Sequence, residues 1–179
     1  MRKRKSPDMI GLVWLALAVF SYCKGYSAFR TSGPGMTGAW AVCCAISIFC
    51  LIRRIRNMSY LTMRIEKIDQ LSGEGFEQYL TAQFRRLGYR VSQTGGSHDY
   101  GADLLLKKHG KTIVVQAKRY ENNVGLSAVQ QAVGAVAYYQ ADQAMVVTNR
   151  YFTKSAVNLA RQNDVELWDR NEIRRRFRI

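Results

Sequence analysis

Three side chains of types that can do chemistry fall on two neighbouring strands of a predicted sheet. Asp103 begins one apolar run, and Gln116 and Lys118 end the next. His109 and Gly110, between the runs, are typical of a two-residue hairpin loop, because glycine supplies a positive φ. With that loop Asp103 faces Gln116, and Lys118 points to the same face as Gln116 because side chains alternate along a strand. The spacing predicts that the three polar groups share one face, and that the other face carries Leu104, Leu106, Ile113, Val115 and Ala117.

This polar trio favours metal-assisted hydrolysis of a phosphodiester. Mg²⁺ takes few protein ligands and keeps several waters, so one carboxylate, one amide oxygen and one backbone carbonyl can hold it. We expect these ligands from Asp103, Gln116 and the carbonyl of Ala117, with Mn²⁺ able to replace Mg²⁺ and no organic cofactor. Lys118 then orients the attacking water or stabilises charge developing on phosphorus. Glu77 is a candidate for an additional carboxylate near the metal.

Each member of the trio also has a plainer interpretation when it is taken alone. Asp103 is then typical of a solvated carboxylate near a turn, and Lys118 of a charge at a strand end. Gln116 alone is uninformative. Three polar groups gathered on one face of otherwise apolar strands cost burial free energy unless they bind something. The pairing across the hairpin therefore favours a site.

The elements that must position the trio follow the order αβββαβ(αβ). Ser72 is a predicted helix N-cap and Gly88 a stop after that helix. An antiparallel meander is followed by a helical crossover into Ala144–Thr148, an apolar run typical of a sheet interior. The predicted helices are 72–87, 127–139 and 153–162, and the predicted strands are 89–93, 103–107, 112–118, 144–148 and 165–168. The fold class is therefore α/β, with a mixed central sheet.

Positive charge is concentrated at the start of the chain. The net charge is +14, and the residues before 65 carry ten Lys and Arg against one acid. All four cysteines lie before residue 51, which excludes a structural zinc or a disulfide in the rest of the chain. Positive charge placed around apolar segments indicates, first, contact with anionic lipid and a signal for membrane topology. Binding of nucleic acid is the second interpretation.

Two uncharged segments predict an N-terminal membrane anchor at residues 1–57, with helices at about 10–29 and 36–52. Basic clusters at both outer ends place the two termini in the cytoplasm and the protein in the inner membrane. Residues 58–71 are then a linker to a globular domain at 72–179. A cleaved signal peptide at the first segment, or buried core helices, are the alternatives.

Several motifs occur together in the second part of the chain: Gly95–Leu104, Val115–Arg119, Val124-Gly125, Gly134 and Val147–Thr153, followed by Ala156 and Ala160. In combination they resemble the Mrr family of restriction endonucleases, within the PD-(D/E)XK nuclease superfamily. The resemblance covers roughly residues 72–170 and implies a type IV-like, Mg²⁺-dependent deoxyribonuclease. It implies Asp103, Gln116 and Lys118 as catalytic positions, and Glu77 beside them. Ala102 departs from the proline in the superfamily name, a change this family tolerates.

The leading hypothesis is a membrane-anchored DNA endonuclease in defence against foreign DNA, with a homodimer as a candidate assembly. The alternative is a non-catalytic module that tethers DNA or a protein to the membrane, and RNA stays open as a substrate. Basic residues predicted to contact phosphates are Arg90, Lys107, Arg119 and Arg150.

Overall fold

A computed structural model describes residues 35–94 and 100–179, with side chains from residue 42 onward. The helices are α1 Gly35–Leu61, α2 Ile65–Ile68, α3 Gly73–Arg86, α4 Leu126–Tyr139, α5 Lys154–Gln162 and α6 Arg170–Phe177. The strands are β1 Arg90–Gln93, β2 Leu104–Lys108, β3 Lys111–Lys118, β4 Gln143–Thr148 and β5 Val165–Trp168. The chain divides into two compact units, Met1–Arg56 and Asn57–Ile179, and the sheet belongs to the second.

The five strands lie in the spatial order β1-β2-β3-β4-β5, so β3 is the central strand. The first three strands pair antiparallel, and the two-residue loop between β2 and β3 allows no other arrangement of that pair. The next two join in parallel, because α4 and α5 carry the chain back to the same end of the sheet. The α/β class with a mixed sheet is confirmed.

The hairpin between β2 and β3 has the predicted register. Leu104 pairs with Val115, and Lys108 pairs with Lys111 across the two-residue loop. His109 has φ 51° and Gly110 has φ 79°, both in the left-handed region that a type I′ turn requires. The turn therefore fixes which residues of the two strands face each other.

The sheet is covered on both faces. One face, the α3 face, carries Leu104, Leu106 and Val115, which pack with buried residues of α2, α3 and α6. The other, the α4 face, carries Val114 and Val146, which pack with buried residues of α4 and α5. Even-numbered side chains of β3 therefore point to the α4 face, and Gln116 and Lys118 are among them.

Side chains cap the helices where the sequence predicts it, and also at one helix that it did not predict. Ser72 Oγ accepts a hydrogen bond from the Gly75 amide at 3.0 Å. Beyond β5 the chain forms α6, where Asp169 Oδ1 accepts from the amide of Glu172 at 2.9 Å. Ile173 and Phe177 of α6 are fully buried. Their burial makes α6 part of the hydrophobic core.

Residues 58–71, predicted as a linker, also contribute to the core. Ile65 and Ile68 of α2 are buried, with exposures of 5% and 0%. Their spacing puts both on one side of a helical turn, against the α3 face of the sheet. Gln83 Nε2 of α3 donates to the Tyr60 carbonyl at 3.1 Å, which ties this stretch to the domain.

The predicted anchor falls partly outside the described residues, since the first span, about 10–29, lies there entirely. The second span, 36–52, lies within α1. Among the residues that the structure describes, no helix combines the length and apolar character needed to cross a membrane. Between Val42 and Ile55, however, α1 exposes a set of large apolar side chains, among them Ile46, Phe49 and Ile52.

Candidate active site

Asp103 lies just before β2 and is held against the C-terminal half of β3. Its backbone amide donates to the carbonyl of Val115 at 2.9 Å. Its carboxylate oxygen Oδ2 accepts from the side-chain amide of Gln116. The same oxygen accepts from the backbone amide of Ala117 at 2.6 Å. The structure thus brings Asp103 and Gln116 into direct contact, as the hairpin register predicts.

Gln116 is buried on the central strand, with 3% of its surface exposed. A buried amide costs free energy unless its polar atoms find partners, and the Asp103 carboxylate is one such partner. Lys118 ends β3 on the same face and is half-buried. The Lys118 side chain therefore extends from the same end of β3 at which Asp103 contacts Gln116.

The donor types at this strand end fit a hard divalent cation. The amide of Ala117 points toward Asp103, and in a strand the N–H and C=O of one residue point the same way. The Ala117 carbonyl is therefore directed toward Asp103 as well. A carboxylate, a backbone carbonyl and the Gln116 amide give three oxygens of the kind Mg²⁺ prefers. Gln116 must turn its amide so that the oxygen, rather than Nε2, faces the cation.

The described part of the chain contains no group of three or more His, Cys, Asp and Glu side chains that could hold a metal ion. Within that part, the end of β3 is therefore not a cluster of acidic residues. Gln116 occupies a position at which a second acid would add negative charge. Glu77 lies half-buried near the start of α3, the helix that covers the opposite face of the sheet. Its part in a metal site therefore stays a prediction.

A buried polar network that sequence reasoning missed lies beside the end of β3. Asp69, just after α2, forms an ion pair with Arg170 at 2.7 Å. Asp69 Oδ1 also accepts from Asn149 Nδ2 at 2.9 Å. Asn149 follows β4 and is fully buried. Asn149 lies in the Val147–Thr153 motif, but nothing in the sequence pairs it with Asp69 or Arg170, so only the fold brings the three together.

Charge stabilises the ionised form of Asp69. Burial alone acts to raise the pKa of this carboxyl, but hydrogen bonds from Arg170 and Asn149 and the charge of Arg170 outweigh it. The pKa of Asp69 is therefore lowered from its ordinary value. Such a group stabilises the fold above its unfolded pKa, about 3.9 for aspartate, and the stabilisation is lost as the pH falls through the folded pKa.

We expect Asp69→Asn to remove this pH dependence. The difference in free energy of unfolding between wild type and variant should be constant above about pH 5 and shrink as the pH falls below about 4, because the wild-type carboxylate becomes protonated. Urea unfolding at a series of pH values measures the difference. A difference that stays the same down to pH 2 would contradict the assignment.

The predicted basic residues do not form one surface at the site. Arg90 pairs with Lys107 across the β1–β2 ladder, close to the His109 turn and therefore at the opposite end of the sheet. Arg119 is half-buried and donates to the Asp69 carbonyl at 2.8 Å. Arg150 Nε donates to the Tyr120 carbonyl at 3.3 Å, beside the end of β3. Of the four, only Arg119 and Arg150 lie near Lys118 in the fold.

Comparison with known proteins shows similarity over the globular domain. A relative from Escherichia coli strain K12, described as "Type IV methyl-directed restriction enzyme EcoKMrr", is 34% identical over 104 residues. The match covers 54% of this chain and 34% of the relative, so the chain spans about a third of that protein's length. A crystal structure titled as a protein of unknown function, AF1548, has a TM-score of 0.46 at 12% identity. The match covers 52% of this chain and 56% of the other.

The family model of a restriction endonuclease domain, Mrr_cat, matches residues 68–177. The match is more than half of the 179 residues and runs from α2 to the end of α6. It includes both strands of the hairpin, the crossover and the Asp69 network. The chain therefore belongs to the Mrr-type restriction endonuclease family.

Proposed function

We propose that this protein is a metal-dependent DNA endonuclease that acts against foreign DNA. The observation that carries the proposal is the Asp103 carboxylate, held by Gln116 and the Ala117 amide at the end of the central strand. Membership of the restriction endonuclease family supports DNA as the substrate. The E. coli relative, named as a methyl-directed type IV enzyme, makes modified DNA the first substrate to try.

The residues at the site have different roles in phosphodiester hydrolysis. Asp103, Gln116 and the Ala117 carbonyl would hold a Mg²⁺ or Mn²⁺ ion, and Glu77 is a candidate for a further carboxylate. When bound, the ion polarises the phosphoryl oxygen and lowers the pKa of water. Lys118 places a positive charge on the same face, where it orients the attacking water or stabilises the added negative charge of the transition state.

Low negative charge at the site predicts weak metal binding. Asp103 is the one acid of the predicted trio, and Gln116 contributes a neutral oxygen where a carboxylate would add charge. Affinity for hard cations rises with the number of charged ligands. We therefore expect activity to rise over a millimolar range of Mg²⁺ and to be lost on chelation.

Attachment to the inner membrane, with the nuclease domain in the cytoplasm, is the second part of the proposal. The uncharged stretch 36–52 and the basic residues after it support an anchor. The exposed apolar side chains of α1 support it as well, because a patch of that kind on a helix needs a covering. We expect the full chain to be retained in carbonate-washed membranes. The Ile46→Arg variant should be released from them.

The decisive experiment is a cleavage assay with the full-length protein. Methylated and unmethylated supercoiled plasmids, linear DNA and RNA are incubated across a titration of Mg²⁺ and Mn²⁺, with EDTA as the metal-free control. We expect nicked or linear DNA only with metal, and none from Asp103→Ala, which removes the anionic ligand. Intact DNA under every condition would contradict the proposal. Salt-sensitive DNA binding that Asp103→Ala leaves unchanged, without cleavage, would instead indicate a tether.

A further inference from the structure

The two residues that follow Lys118 are both fixed by hydrogen bonds to buried parts of the domain. The guanidinium of Arg119 donates to the Asp69 carbonyl at 2.8 Å. The backbone amide of Tyr120 donates to Asn149 Oδ1 at 2.9 Å. The chain is therefore held immediately after the strand residue that carries the ammonium group.

Asn149 connects these contacts. It is fully buried. Its amide oxygen serves Tyr120, and its amide nitrogen donates to Asp69 Oδ1 at 2.9 Å. Its backbone carbonyl accepts from Arg170 NH1 at 3.1 Å. One side chain thus joins the end of β3 to the residue after α2, and its backbone joins both to the start of α6.

Arg170 completes the network from α6. Its NH1 group donates to both Asp69 carboxylate oxygens, at 2.7 and 2.9 Å. Both side chains of this ion pair are largely buried, with exposures of 14% and 20%. A buried ion pair is often no more stabilising than well-packed apolar residues of the same volume. Stability alone therefore gives little reason for an ion pair here.

The position of the network explains the presence of the ion pair better than stability does. Lys118 is paired with Thr148 in the parallel ladder, and Asn149 is the next residue of that neighbouring strand. The network therefore holds the two adjacent strand ends together at the level of Lys118. A misplacement of about 1 Å can reduce the rate of a reaction by a factor of about 10². A flexible lysine needs a fixed backbone if its ammonium group is to reach one point.

We infer that Asn149 and Asp69 are positioning residues that fix the backbone of Lys118 for catalysis. The inference rests on the proposed nuclease function. The Asn149 side chain acts through the Tyr120 amide, and the Asp69 side chain acts by holding Asn149. The backbone carbonyl of Asp69 also binds Arg119, the residue next to Lys118.

An exchange of the two side chains tests the inference. Asn149→Asp keeps the size of the side chain, but repulsion between its carboxylate and that of Asp69 should move it away from the Tyr120 amide. In the double variant Asn149→Asp with Asp69→Asn, the new amide at 69 donates to the new carboxylate at 149, and the net charge is that of wild type. We expect Asn149→Asp to lower kcat by about 10- to 100-fold, with KM for DNA within about twofold. The double variant should recover kcat to within a few-fold of wild type.

Val165→Ala is the matched control for lost stability. Val165 is buried at the start of β5, at the end of the parallel ladder away from Lys118 and Thr148. This variant should lower the free energy of unfolding without changing kcat. An equal loss of kcat in Val165→Ala and Asn149→Asp, or no recovery in the double variant, would overturn the inference.

Hydrogen exchange separates a failure of this inference from a failure of the proposed function. The Tyr120 amide should exchange faster in Asn149→Asp than in wild type, and slowly again in the double variant, whether or not DNA is cut. If wild type cuts no DNA, the nuclease proposal fails, and unchanged exchange at Tyr120 would still overturn the positional role. If wild type cuts DNA and Asn149→Asp retains full kcat, the positional role alone fails.

Discussion

Lys118→Ala is expected to lower kcat for DNA cleavage by a factor of about 10²–10³, the loss seen when one donor to a developing charge is removed. Lys118 ends the central strand on the same face as the Asp103–Gln116 pair. Its charge becomes most valuable as negative charge builds on the phosphate, so the transition state should lose more stabilisation than bound DNA. Single-turnover cleavage rates, with the Kd for DNA measured separately, provide the test.

Lys111→Ala is the matched control for charge. Lys111 begins the same strand, is exposed, and pairs with Lys108 beside the hairpin turn. The Lys111→Ala substitution removes one positive charge, as Lys118→Ala does, but from the other end of β3. We expect the cleavage rate to change by less than about twofold, since exposed charges beyond a Debye length are screened. Equal losses in the two variants would mean that net charge, rather than the position of Lys118, controls the rate.

Gly101→Ala is expected to have the largest effect on stability. Gly101 has φ +87°, and a Cβ there would lie 2.5 Å from the backbone carbonyl oxygen of Gln131 in α4. The left-handed conformation costs about 1–2 kcal/mol with a side chain, and forcing an atom into a packed contact costs about 1–3 kcal/mol more. Urea unfolding should therefore show a loss of about 2–5 kcal/mol.

Gly110→Ala separates the two costs. Gly110 has a similar φ of +79°, but a Cβ there meets nothing within 4 Å. Its loss should be only the conformational part, about 1–2 kcal/mol. Because Gly101 lies two residues before Asp103, the first variant should also lower kcat. Equal losses of stability in the two variants would show that the close approach of the loop to α4 contributes nothing.

The centre of the candidate site could be predicted because a turn fixes it locally. A two-residue loop of His109 and Gly110 determines every pair along the hairpin, and therefore that Asp103 meets Gln116. The apolar run of β4 indicated an interior strand, and all of it except Gln143 is buried. Strand ends differ from prediction by at most one residue, as expected where pairing stops gradually.

Long-range contacts could not be predicted in the same way. Asp69, Asn149 and Arg170 are brought together by parallel pairing and by the docking of α2 and α6, and no spacing in the sequence encodes that meeting. The helix α6 did carry a local signal. Asp169 followed by Glu172 and Ile173 is typical of a helix start, and Asp169 does cap the helix. The three consecutive arginines at 174–176 make the segment look polar, so the burial of Ile173 and Phe177 was not predicted.

The hairpin turn also bears on the order in which a nascent chain becomes competent. A β-hairpin closes in about 1–10 μs, so the Asp103–Gln116 contact can form as soon as β3 is synthesised. The hydrogen bonds that hold the chain after Lys118 depend on Asn149 and Arg170, which emerge later from the ribosome. We therefore expect a ribosome-bound chain to carry an incomplete site. On the proposed function, full activity would be reached only once α6 is made, because Arg170 belongs to that helix.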